Sequence, residues 1–271
     1  MPRYSIITVC YNEIEHIRDT LDSIKNQTFK DFEMIVIDGG STDGTRDVIL
    51  QYQPYLKWWC SEPDNGIYHA MNKGVSHASG EYVIFMNGGD CFHSGDVLER
   101  MERAHVWADI VEGQALRADT KELIRNQQAD LLHKLLSDGI SHQSTFIRRS
   151  LFDVYRYDEN YRIASDWKFW LQTIAGEGCS YQYVDFAVAD IDTAGITYSQ
   201  FARNLRERDA ILEELSSSPK LSFYAFVFRQ YNYLTHNALV QYAMYLDRNS
   251  RFGYSLVRKI AKRVVRMVGR K

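Results

Sequence analysis

The chain opens on a run, Tyr4 to Cys10 (YSIITVC), in which nearly every residue is apolar or β-branched. A run without a polar face predicts a strand buried on both sides, as in a parallel sheet. Over 13–26 the apolar residues fall at Ile14, Ile17, Leu21 and Ile24, the spacing of one helix face. FEMIVID at 32–38 predicts a second buried strand and GGSTDGT after it a turn. Thr42 or Asp43 would cap a helix over 44–52. A short strand is expected at 56–60, a helix at 66–77 and another buried strand, EYVIFMN, at 81–87. Strands alternating with helices imply an α/β fold, a mostly parallel sheet flanked by helices in the Rossmann manner.

Further along, 108–116 and 181–189 read as strands, 141–149 as a strand or a loop entering one, and 166–174 as a helix. From about 199 onward the pattern is helical. The expected organisation is one domain over 1–200, divided into 1–105 and 106–200, with a C-terminal helical extension over 201–271. At 254–270 Val257, Ile260, Val264 and Val268 form one stripe and Lys and Arg fill the rest, which makes a basic amphipathic helix.

Charge sharpens that last element. The net charge is −3, yet Arg251 to Lys271 holds eight basic residues and no acidic one. A basic tail on an acidic body points to an anionic partner. Either a membrane surface or a packing helix with a solvated cationic face fits the pattern. No nucleic-acid motif accompanies the tail, so nucleic acid is not expected as a partner. The four cysteines are scattered without a C-x-x-C pair, so a reducing compartment is expected. No run approaches the ~18 apolar residues of a membrane span, and Asn12 and Glu13 interrupt the N-terminal apolar stretch. A cytoplasmic protein, peripheral on the inner face of the cell membrane if the tail binds lipid, is the expectation. The aromatic content of 13% suits sugar-handling sites but is more often core packing.

In open parallel sheets ligands bind beyond the carboxyl ends of the strands. Tyr11, Asn12 and Glu13 follow the first strand, Asp38, Gly39 and Gly40 the second, Glu62, Asp64, Asn65 and Gly66 the third, and Asn87, Gly88, Gly89 and Asp90 the fourth. Carboxylates accept from the hydroxyls and base N–H groups of a nucleoside but repel a diphosphate unless a divalent cation intervenes. Asp38 and Asp64 therefore suit a nucleoside, and Asp90 a bridging Mg²⁺ or Mn²⁺. Gly88 and Gly89 would let the backbone approach a ligand closely. Taken singly, Asp38 and Asp90 also read as ordinary turn residues beside glycine. Neither G-x-x-x-x-G-K-[ST] nor G-x-G-x-x-G is present, which argues against a P-loop NTPase and a dinucleotide oxidoreductase.

SIITVCYNE at 5–13, QTFKDFEMIVIDGGSTDGT at 27–45, EPDNGIYHAMNKG at 62–74, GEYVIFMNGGD at 80–90 and SDWKFWL at 165–171 together resemble the family 2 glycosyltransferases. The resemblance covers about residues 3–200. It implies a GT-A fold, with a nucleotide-sugar-binding part over 1–105 and an acceptor-binding, catalytic part over 106–200. It places Tyr11, Glu13 and, less directly, Thr8 near the nucleoside, Asp38 and Asp64 on it, and Lys73 facing the base or the diphosphate. Asn87, Gly88, Gly89 and Asp90 stand where the family often has D-x-D, with Asp90 alone keeping a carboxylate and so the candidate metal ligand. Asp166 matches the catalytic base, which removes the proton of an acceptor hydroxyl as it attacks the anomeric carbon. A helix-terminal carboxylate favoured by the macrodipole is the plainer account of that residue. His142 would contact the acceptor or the diphosphate, or be structural. Trp167 or Trp170 would stack on a sugar, one of them being core.

The expected activity is an inverting transfer of one sugar from a nucleoside-diphosphate sugar, a UDP-sugar in the first instance. The acceptor would be a saccharide or lipid-linked saccharide in bacterial surface polysaccharide biosynthesis. A non-catalytic nucleotide-sugar-binding protein and a sugar nucleotidyltransferase are the alternatives. The second lacks its glycine-rich basic loop after the first strand, where CYNE stands.

Overall fold

In a computed structural model, residues 1–124, 131–136, 140–192 and 200–236 are described. The run Tyr4–Cys10 is strand β1, buried along its whole length. It pairs in parallel with β2 (Phe32–Asp38) on one side and β4 (Tyr82–Phe85) on the other. β2 pairs in parallel with β3 (Leu56–Ser61). Helices return the chain between these strands: α1 (Ile17–Lys25), α2 (Thr45–Tyr52) and α3 (Ile67–His77). α1 buries Ile17, Thr20, Leu21 and Ile24, close to the predicted stripe. It starts later than predicted, and the backbone N–H groups of Glu13 and Ile14 ahead of it are taken by the Thr45 and Asp43 side chains. Asp43 also accepts from the Thr45 N–H at 3.0 Å at the start of α2, whose cap position is Gly44.

The sheet has eight strands in the order β3-β2-β1-β4-β7-β6-β8-β5. The remaining strands are β5 (Cys91–Phe92), β6 (Ile110–Arg117), β7 (Thr145–Arg148) and β8 (Tyr181–Ile191). β7 runs antiparallel to both β4 and β6, and β8 runs parallel to β6. The carboxyl ends of β1 to β4, β6 and β8 therefore share one edge, and the antiparallel β7 presents its start there. The strand order reverses between β1 and β4, which makes a topological switch point at that edge. α4 (Val97–Arg103) follows β5, and α5 (Leu131–Leu136) and α6 (Ser165–Trp170) complete the first part, with α6 passing into a wider π turn at Leu171–Gly176.

Much of the aromatic content is packing. Phe152 and Phe169 stack at 4.9 Å between centroids, Tyr157 lies 5.4 Å from Phe169, and Phe85 lies 5.5 Å from Tyr157. This ring cluster is the bed of α6.

The chain divides into two units, residues 1–211 and 212–271. The division falls inside α7 (Phe201–Ser216), the helix that begins where the extension was expected to start. In the second unit α8 (Ser222–His236) buries Ala225 and Phe228, exposes Phe223 and Phe226, and carries Arg229, which pairs with Glu213. The basic helix expected at 254–270 lies outside the described residues.

Candidate active site

The loops after β1 and β2 are laced together. Asn12 N–H donates to Ser41 Oγ at 2.7 Å, and Thr42 N–H to Asn12 Oδ1 at 2.9 Å. Beneath them Asp38 is fully buried. Its carboxylate accepts from the Ser41 N–H (3.2 Å to Oδ2), the Ser41 hydroxyl and the Ser61 hydroxyl (2.6 Å). The expected base reader thus shapes the 39–41 turn, and the Ser41 and Ser61 hydroxyls, which the sequence reading passed over, lie above it. Tyr11 is 61% exposed at the edge. A Cβ on Gly39 would lie 2.7 Å from Asp64 Oδ2 and 3.3 Å from the Tyr11 ring, so only glycine leaves these two groups their places. Asp64 also accepts from the Gly66 N–H at 2.7 Å. Lys73 is tied to Glu62 at 2.6 Å, a pairing that raises its pKa.

Thr8, expected close to the nucleoside, lies within β1 opposite Val36 and is 1% exposed, and among the described residues its buried hydroxyl has no hydrogen-bond partner. Gly88 needs its missing side chain for protein packing. A Cβ there would meet Glu13 Cγ at 2.9 Å and Cys10 Cβ at 3.0 Å. Gly89 turns with φ +95°, in the left-handed region. Burial raises the pKa of Glu13, with His16 opposing and Asp192 and Asp43 adding to the rise.

Asp90 is 4% exposed. Burial pushes its pKa up to about 7, and the charge of Asp192 adds to this. The Asp192 N–H, donated to Asp90 Oδ1 at 3.0 Å, works in the opposite direction, as do His142 and Gln143. Asp192 was not foreseen. It follows β8, whose carboxyl end is at the same edge, so the strand-end rule applied to the last strand would have found it.

Asp166 stands in the first turn of α6. Its Oδ2 lies 2.9 Å from His142 Nδ1, its Oδ1 lies 3.0 Å from the Tyr68 hydroxyl, and the Trp167 N–H donates to Oδ1 at 2.8 Å. Burial works to raise its pKa, but the bonds and charge of His142, the Trp167 N–H and Tyr68 prevail and hold it below the ordinary carboxylate value. His142 Nε2 lies 3.1 Å from the Asn87 amide nitrogen. An ionised carboxylate only accepts, so His142 Nδ1 carries the proton that faces Asp166. His142 reaches the edge because β7 is antiparallel and starts there. Among the described residues Asn87 Oδ1 has no hydrogen-bond partner, although it is buried.

Trp167 stands within α6. It is 3% exposed, its indole N–H donates to the Leu135 carbonyl at 2.8 Å, and the Arg208 guanidinium lies 4.8 Å from its ring centroid. A ring enclosed in this way has no face to offer a sugar. Trp170 is likewise buried, with its N–H on the Ile140 carbonyl at 3.0 Å.

The edge thus brings together Tyr11, Gly39 and Asp64, the carboxylates of Asp90 and Asp192, and the carboxylate of Asp166. The family model described as Glycosyl transferase family 2 matches residues 5–162. A "PGL/p-HBAD biosynthesis glycosyltransferase" of Mycobacterium bovis (strain BCG / Pasteur 1173P2) is 32% identical over 201 residues, covering 72% of this chain and 78% of the relative. Among solved structures, S. aureus TarS 1-349 in complex with UDP-GlcNAc superposes with a TM-score of 0.69 at 16% identity, covering 90% of this chain and 79% of that one. The mannosyltransferase PcManGT of Pyrobaculum calidifontis, in complex with GDP-Man and Mn2+, superposes with a TM-score of 0.65 at 18% identity, covering 97% and 81%. The family match spans more than half of the sequence, and the chain is therefore a glycosyltransferase of the GT-A fold that belongs to glycosyl transferase family 2.

Proposed function

We propose that the protein transfers a single sugar, with inversion, from a nucleoside-diphosphate sugar to a hydroxyl of a saccharide or lipid-linked saccharide in surface polysaccharide biosynthesis, with Asp166 as the base. The observation that carries this reading is the Asp166 carboxylate, kept ionised by His142 and Tyr68 at the edge that also holds Asp90 and Asp192. The acceptor oxygen forms its bond to the anomeric carbon while the bond to the diphosphate breaks on the opposite face. The acceptor proton passes to Asp166, and the nucleoside diphosphate leaves with the bonding electron pair. His142, donating through Nδ1, orients the carboxylate and stabilises its charge before transfer. Tyr11, Asp64 and the Ser41 and Ser61 hydroxyls form the nucleoside end, and a UDP-sugar is the donor we propose first. The TarS complex holds UDP-GlcNAc and the PcManGT complex GDP-Man, which supports the donor class.

A divalent cation fits the site. Asp90 and Asp192 offer carboxylates, the pKa of Asp90 being raised by burial, and Asn87, three residues before Asp90, has a buried amide oxygen without a partner among the described residues. Oxygen donors of this kind suit Mn²⁺ or Mg²⁺, and PcManGT was crystallised with Mn2+. Among the described residues no three His, Cys, Asp or Glu side chains form a complete metal cluster, so donor phosphate oxygens would share the coordination. When bound, the cation neutralises the charge of the departing diphosphate. Among the described residues no helix is long and apolar enough to cross a membrane. The proposed place of work is the cytoplasmic face of the membrane, with residues 254–270 on anionic lipid.

The test is Asp166→Asn. Donor binding should survive and turnover should fall by about 10²–10⁴-fold, measured as release of the nucleoside diphosphate. Full turnover in this variant overturns the base assignment. Donor binding by the wild type with neither transfer nor donor hydrolysis would instead favour a non-catalytic binder.

A further inference from the structure

α6 has no side-chain cap of its own, since Ala164 occupies the cap position. The N–H groups of the three residues that lead into it are bonded by a side chain of another helix. Glu207 of α7 accepts from the Ile163 N–H at 2.8 Å and the Ala164 N–H at 3.1 Å, both at Oε2. The Arg162 N–H lies 3.1 Å from Oε1 and 3.0 Å from Oε2. Arg203, one turn earlier on α7, donates Nε–H to Oε1 at 2.9 Å. The Glu207 side chain is 11% exposed, so these bonds are shielded from competing water. On the other side of the same segment the Tyr68 hydroxyl lies 2.6 Å from the Ile163 carbonyl and 3.0 Å from Asp166 Oδ1.

We propose that Glu207 is a positioning residue for the base: by gathering the N–H groups of Arg162, Ile163 and Ala164 it fixes where α6 begins, and hence where the Asp166 carboxylate lies between His142 and Tyr68. This rests on the reading of Asp166 as the base. The apolar anchorage of α6 is separate, through Phe169 and Trp170 in the ring cluster. Losing Glu207 should therefore leave the helix docked and loosen only its first turn, which holds Asp166. A displacement of about 1 Å at a reacting group costs on the order of 10²-fold in rate. The sequence contains no sign of this contact, because Glu207 lies on a charged helix in the expected extension.

The experiment compares wild type, Glu207→Ala, Glu207→Gln and Asp166→Asn in the full chain, with steady-state kinetics, donor binding, thermal midpoints and the pH profile of kcat. For Glu207→Ala we expect kcat to fall by about 10–100-fold, with donor KM within about threefold of wild type. Glu207→Gln should lie between, because its carbonyl still accepts while its amide nitrogen cannot. The groups facing Asp166 are His142, Tyr68 and Tyr157. As the carboxylate slips from the first two, the acid limb of the kcat profile should move to higher pH, which a general loss of stability would not produce. A kcat within about twofold of wild type overturns the proposal. So does a fall in kcat matched by lost donor binding and a large drop in thermal midpoint with the acid limb unmoved. If Asp166→Asn is fully active, the base reading fails and the proposal with it. If Asp166→Asn is inactive and Glu207→Ala is unaffected, only the present proposal fails.

Discussion

Asp166 and Asp90 lie at the same sheet edge, and their surroundings drive them in opposite directions. Burial acts to raise both. At Asp166, His142, the Trp167 N–H and Tyr68 more than offset it, whereas at Asp90 nothing present does, and the pKa rises to about 7. This is the division that the proposed roles require, an ionised carboxylate for the base at Asp166 and a carboxylate suited to a cation at Asp90. His142→Ala removes the largest lowering influence on Asp166. The acid limb of the kcat–pH profile should then shift upward, and kcat at neutral pH should fall by about tenfold or more, measured by nucleoside diphosphate release. At Asp90 the sign is reversed. With its folded pKa raised above the unfolded value, its stabilising contribution is full below the ordinary Asp value and is lost as pH rises through about 7. Asp90→Asn should therefore raise the thermal midpoint of the metal-free protein more at pH 8 than at pH 5, by a few degrees (~2–4 °C per kcal/mol). The same variant should lose any response of the midpoint to Mn²⁺. An equal shift at both pH values would show that Asp90 does not titrate in this range.

At the scale of elements, the helices and strands of the first half were legible because each carries its own period. The stripe of α1 and the unbroken apolar runs of β1, β2 and β4 need no partner to be recognised. Element ends were less legible. Ile14 continues the apolar spacing of α1, but 14–16 form a turn, and the N–H groups of Glu13 and Ile14 are held by Thr45 and Asp43, partners distant in sequence. The two-residue β5 is too short to have a period and exists by pairing with β8. Trp167 and Trp170 show the same limit. Their composition suggests a sugar platform, whereas the fold uses their N–H groups to hold the Leu135 and Ile140 carbonyls. Trp170→Phe keeps most of the ring and leaves the Ile140 carbonyl without its donor, a loss of about 1–3 kcal/mol. Chemical denaturation should show that loss with an unchanged m-value. kcat should also fall, because His142 follows Ile140 by two residues.

For the whole molecule, the site spans the switch point of the sheet and gathers residues from Tyr11 to Asp192. The side proposed for the nucleoside came from one local rule, that carboxylates and glycines recur where parallel strands end. The other side depends on strand direction, which a single sequence does not display. β7 enters the edge by its start and brings His142, and β8 leaves by its end and brings Asp192. Asp38 followed the local rule and still differs in detail, because its oxygens were taken by Ser41 and Ser61, a pairing set by the packing of β2 against β3. The charge asymmetry of the chain concerns a longer range. Eight basic residues between Arg251 and Lys271 follow a body of net negative charge, so the tail and the body respond oppositely to an anionic surface. Each Lys or Arg near such a surface contributes about 1 kcal/mol, falling with ionic strength. The full chain should therefore co-sediment with vesicles containing phosphatidylserine, bind weakly to phosphatidylcholine alone, and detach as salt is raised. Replacing Arg258, Lys259, Lys262 and Arg263 by Gln should abolish sedimentation and leave kcat on a water-soluble acceptor unchanged. Equal binding to both vesicle types would show that the apolar stripe, and not the charge, holds the protein to lipid.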